Sequence, residues 1–202
     1  MRRLLALLLA SPLAAMPLPA PAQQAGPPGT SPHGSPPRGA EARKAELDRA
    51  FEALRTAPDE AGATLVEARI RSLWSQAASP SVTLLLRRGL RNVEAQLPGE
   101  ALEDFDAAIT LAPDFPEAWF LRAQAYWRAG DRVRAVRDLQ EVLRLEPRHW
   151  PALATLSAVQ DEAGDLAGAL RSLEAALAIN PKMPGAAERL REQRRKSEGE
   201  AL

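Results

Sequence analysis

Pro113, Pro147 and Pro181 stand 34 residues apart along the chain. Proline cannot donate the backbone bond that continues a helix, and it disfavours the helical conformation in the residue before it. A helix-breaker at a fixed interval implies a fixed structural unit. Cutting the chain at this interval aligns three blocks without a gap: residues 82–115, 116–149 and 150–183.

The matched columns have a physical logic. Gly89, Ala123 and Ser157 are small residues in the first helix of each block, where a second helix must come close. Ala101, Ala135 and Ala169 play the same part in the second helix. Phe105, Leu139 and Leu173 follow four residues later on the same face, and Ala108, Val142 and Ala176 extend the stripe. Gly130 and Gly164 separate the two helices of a block, and Asp131 and Asp165 then offer N-cap acceptors. In the first block Pro98-Gly99 is expected to make that turn. Aromatics are only 4% of the chain, so Leu, Ala, Val and Ile must build the core. Ala and Leu carry the lowest helical cost.

This pattern resembles the tetratricopeptide repeat, a helix–turn–helix unit of the same period. The middle block carries most of the signature, with Trp119, Ala123, Tyr126, Ala135, Leu139, Val142 and Pro147 in its columns. Arg88 and Arg122 depart from it in a column usually leucine, and Asn92 and Gln160 replace the usual tyrosine. The resemblance implies an all-α fold, a superhelical solenoid of antiparallel helix hairpins.

The flanks complete the expected organisation. Residues 41–80 read as an N-terminal helical hairpin, with one stripe at Leu47, Phe51 and Leu54 and another at Val66, Ile70, Leu73, Trp74 and Ala77. Pro58 is placed to start its second helix. Residues 184–202 read as a polar C-terminal capping helix and tail, with Ala187 and Leu190 facing inward. Residues 1–22 have the layout of a secretory signal peptide: Arg2 and Arg3, an apolar run, then Ala20-Pro21-Ala22. The run is about half the ~20 residues that span a bilayer, so cleavage after Ala22, export to the periplasm or beyond, and no stable membrane span thereafter are expected. Residues 23–40 are rich in Pro and Gly, which suits a disordered linker.

Little in the sequence speaks for catalysis. The chain has no cysteine, which removes disulfides, thiol chemistry and thiolate metal sites. His149 is the one histidine outside the linker, so it has no second imidazole with which to share a metal. The isolated glycines form no phosphate-binding loop. Asp104/Asp106 and Glu100/Glu103 lie on one amphipathic helix and read as solvated surface rather than a carboxylate pair for hydrolysis. Twenty-six basic residues balance 26 acidic ones, so no overall field draws nucleic acid. No catalytic residue, cofactor or metal site is expected.

The resemblance implies instead a concave groove lined by the first helix of each repeat. Its candidate residues here are Leu86, Leu90 and Glu94, then Glu117, Phe120, Gln124, Trp127 and Arg128, then Asp161 and Glu162. Phe120 and Trp127 lie off the main packing columns, where large aromatics suit interface anchors; the alternative is that they pack against the N-terminal hairpin or against Leu86 and Leu90. Some repeats of this kind clamp a C-terminal carboxylate, but Leu86 and Leu90 stand where two members of that clamp would be. The expected function is a non-enzymatic scaffold or adaptor, binding a peptide or protein segment in the groove. The alternative is a self-associating structural component of the cell envelope.

Overall fold

A computed structural model describes residues 38–199, which form nine α-helices and no strand. Six of them are the array: α3 (Pro80–Glu94) with α4 (Pro98–Leu111), α5 (Pro116–Arg128) with α6 (Arg132–Leu145), and α7 (Trp150–Glu162) with α8 (Leu166–Ile179). Each first helix pairs with its own second helix, and each second helix packs on the first helix of the next repeat. The prolines of the 34-residue interval fall in the turns between repeats. The expected signal and linker segments lie outside the described residues, except for the last three linker positions.

The small-residue columns sit at the closest contacts. Ala101, Ala123, Ala135 and Ala169 have no exposed surface. A Cβ on Gly89 would come within 2.5 Å of the fully buried Phe105 ring, so only glycine fits there. Ser157 turns its polarity inward, donating its hydroxyl to the Ala169 carbonyl at 2.7 Å. Asp131 and Asp165 cap α6 and α8 by accepting from the backbone N–H of Arg134 and Gly168. The first repeat solves its turn differently: Pro98 and Gly99 lie inside α4, and the chain reverses at Gln96.

The two arginines that depart from the repeat signature answer one another's chemistry. Arg88 holds Asp104 through Nε and Nη2, and Asn92 donates to the same carboxylate. Arg122 grips Asp138 through Nε at 2.7 Å and Nη2 at 2.8 Å, and extends Nη1 to Asp106 of the preceding repeat at 2.6 Å. Burial disfavours a charged Arg122, but its bonds to Asp138 and Asp106 outweigh this and hold its pKa above the ordinary value. Asp104 is therefore neither solvated surface nor a reactive carboxylate, since it is buried within an ion pair. In the third repeat the same columns hold Leu156 and Ser172, and Ser172 donates to Gln160.

The N-terminal hairpin consists of α1 (Arg38–Arg55) and α2 (Glu60–Ser75). Asp59, not Pro58, caps α2, and Ala77 falls beyond the helix end and is exposed. The hairpin does not stack on α3 as a further repeat. It runs instead along the edge formed by the inter-repeat turns. Trp74 stacks on His149 at 4.5 Å, Phe51 meets Trp150 edge-on, and Asp48 accepts from Arg148 at 2.6 Å. Farther along, Glu67 accepts from buried Asn180 at 2.6 Å, and Met183 and Leu173 join the hairpin's apolar core. At the other end α9 (Ala186–Gly199) packs on α8. Ala186 and Gln193 are its buried residues and Leu190 packs inward as expected, whereas Ala187 is exposed.

Candidate functional site

The first helices α3, α5 and α7 position the candidate residues, and the hairpin divides them. Glu117 and Phe120 lie on the first two turns of α5, within the hairpin's reach. Phe120 is only 8% exposed and contacts the His149 ring at 4.8 Å, in a buried cluster with Leu139, Val142 and Val159. It is a core residue, not an offered anchor. Leu86 is likewise buried, in the core of the first repeat. Glu117 lies 3.6 Å from His149 Nε2 and lines a cleft of about 310 Å³ shared with Leu47 and Trp74 of the hairpin.

His149 itself has a structural role. Its Nδ1 accepts from the Ala152 backbone at 3.1 Å, capping α7, and the ring is 1% exposed between Trp74 and Phe120. An acceptor at Nδ1 leaves the proton of the neutral ring on Nε2, facing Glu117. Among the described residues, no group of three or more His, Cys, Asp or Glu side chains could hold a metal ion.

The later turns of the first helices stay open. Gln124, Trp127, Arg128 and Glu162 together line a cleft of about 390 Å³. Arg128 also lines a neighbouring cleft of about 300 Å³ with Glu94, Val93 and Ala125. Five of the ten candidates thus converge on one face, joined through Arg128. Trp127 is half-buried against the apolar cluster of the second repeat. Its indole N–H donates to Glu162 at 3.0 Å, so a tryptophan from one repeat and a carboxylate from the next form a single wall. Arg132 supplies a second, longer bond to Glu162 at 3.4 Å. Leu90 is 41% exposed but lines neither cleft.

Asp161 is drawn elsewhere. It accepts from Lys196 of α9 at 2.8 Å, and that bond lowers its pKa. The open face therefore carries an aromatic edge, an amide, two cations and two carboxylates, in an arrangement suited to a polar segment with an apolar contact. The burial of Phe120 had one legible signal, the bulky Trp74, His149 and Trp150 at places that repeat periodicity leaves unexplained.

Comparison with known proteins gives a consistent picture. The family model of the tetratricopeptide repeat matches residues 116–149. A TPR repeat-containing protein of Rhizobium etli is 31% identical over 135 residues, covering 67% of this chain and 66% of that protein. A serine/threonine-protein phosphatase T of Trypanosoma brucei brucei is 35% identical over 80 residues, covering 40% of this chain and only 17% of the relative. Among solved structures, the first TPR of Spaghetti (RPAP3), bound to the HSP90 peptide SRMEEVD, superposes with a TM-score of 0.56. It is 22% identical and covers 61% of this chain and 98% of that one, a likeness of fold.

Proposed function

The chain belongs to the tetratricopeptide-repeat family, and on that premise we propose that it is an exported adaptor whose open inner face receives a segment of a partner protein. Repeats of this kind generally serve as non-enzymatic interaction modules. The observation that carries the reading is the cleft of Gln124, Trp127, Arg128 and Glu162, which joins two repeats across one wall. The hairpin already covers the opening turns of α5 and α7, so the ligand is expected on their later turns. The peptide of the solved neighbour is not carried over, because Leu86 and Leu90 replace two members of a carboxylate clamp. Export rests on the signal-like residues 1–22.

The test compares two tryptophans. Trp119 packs between the cores of the first and second repeats and donates to the Pro113 carbonyl at 2.9 Å. Trp119→Ala should cost about 3–5 kcal/mol in urea melts. Trp127→Ala should cost less: both rings are half-buried, but Trp119 packs against two apolar clusters and Trp127 against one. Partner capture from cells should fall about thirtyfold with Trp127→Ala, the loss expected of an interface anchor. Recovery of the same proteins in equal amounts by folded Trp127→Ala would refute binding at this face.

A further inference from the structure

Each first helix of the array turns one stripe toward the repeat before it. In α5 that stripe is Ala118, Leu121 and Ala125, buried within the apolar cluster of the first repeat. In α7 its ends are Ala152 and Val159, buried against the second repeat. The same columns of α3 hold Leu84, Arg87 and Arg91. The hairpin packs elsewhere and leaves them open: Leu84 is 63% exposed and both arginines are exposed.

Arg122 indicates what such a stripe can meet, since its Nη1 reaches back to Asp106 on the preceding α4. Arg88 holds its own Asp104 with the same two nitrogens that Arg122 uses for Asp138. Its Nη1 has no partner among the described residues. We propose that the Leu84–Arg87–Arg88–Arg91 stripe of α3 docks an acidic amphipathic helix of a partner protein, stacked where a preceding second helix would lie. The partner's carboxylate faces Arg88, and its apolar residues cover Leu84.

Charge selects this occupant. Arg87, Arg88 and Arg91 share one helix face at spacings of three and four residues, and only Arg88 is in an ion pair among the described residues. Residues 1–37 contain no Asp or Glu, so that segment lacks the required carboxylate. A second copy placed face to face would set the arginines against one another. A head-to-tail copy meets α9, whose Arg194 already holds Glu174, the carboxylate in the column of Asp106.

The probe is a fluorescent peptide of residues 98–111, held helical by a hydrocarbon staple on its outward face. It carries Leu102, Asp106 and Ile109 on its docking side and has no basic residue. Anisotropy titration of the full chain at low salt should give saturable binding. Arg87→Glu/Arg91→Glu in the protein, or Asp106→Lys in the peptide, should weaken it about tenfold or more. Leu84→Ser should weaken it without changing charge, and Trp127→Ala should leave it intact. The proposal is overturned by absence of saturable binding to the wild type, or by equal binding to the double arginine variant. It is also overturned if Trp127→Ala abolishes binding, which would assign the peptide to the inner face. A concentration-dependent dimer that Leu84→Ser abolishes would give the stripe to a second copy instead.

Discussion

Gln96 adopts φ +60° at the turn of the first repeat, where Gly130 and Gly164 hold φ +81° and +80° in the other two. Leu97 follows it in the column of the capping aspartates, and α4 begins with no side-chain cap. A left-handed conformation costs a non-glycine residue about 1–2 kcal/mol, and a missing cap costs about 0.5–2 kcal/mol. Gln96→Gly with Leu97→Asp should therefore raise the urea midpoint, with a gain of about 1–3 kcal/mol. An unchanged midpoint would mean that neighbouring contacts already relieve the turn. Backbone constraints of this kind are the most legible part of the sequence. Gly130, Asp131 and Pro147 announce themselves because few residues can do their work. The Pro98-Gly99 pair misled because it imitates a turn signal while serving as the first turn of a helix.

Between helices, the Arg–Asp ladder offers a comparison built into the chain. Arg122→Leu would leave Asp138, 2% exposed, without its cation, a change expected to cost about 3–5 kcal/mol. The third repeat already folds with Leu156 and Ser172 in these columns. Arg122→Leu combined with Asp138→Ser should accordingly recover most of the loss in thermal melts. Equal destabilisation by the single and double variants would show that the guanidinium matters through packing on Trp119, over which it lies at 4.8 Å, rather than through charge. The ladder could have been read from the sequence. Arginine in the usual leucine column is followed 16 residues later by aspartate in the first two repeats, and both are absent from the third. Read along one helix at a time, Asp104 looks like surface; only comparison of columns across paired helices finds its partner.

For the molecule as a whole, the proposed export predicts a mature chain beginning at Gln23, which mass spectrometry of the native protein would detect. A chain that keeps Met1 in the cytoplasm would contradict that reading. The 34-residue period made the array legible, but it carried no information about where non-repeating helices dock. That is why the sequence implies the hairpin but not its position, and leaves Phe120 open between the groove and packing against the hairpin. Its contacts join Asp48 to Arg148 and Glu67 to Asn180, pairs separated by 100 and 113 residues. Stacked repeats with neighbour contacts alone can fray from either end, piece by piece. Far-separated contacts resist such fraying, but closing so long a loop slows folding. Circular dichroism and tryptophan fluorescence should then report one coincident transition in the wild type. In Phe51→Ala, which loosens the hairpin from Trp150, the two should separate; coincidence in both proteins would deny the hairpin this role. Fastened this way, the array behaves less like a spring that can uncoil from its ends than like a belt held shut by a buckle, giving way only when the buckle does.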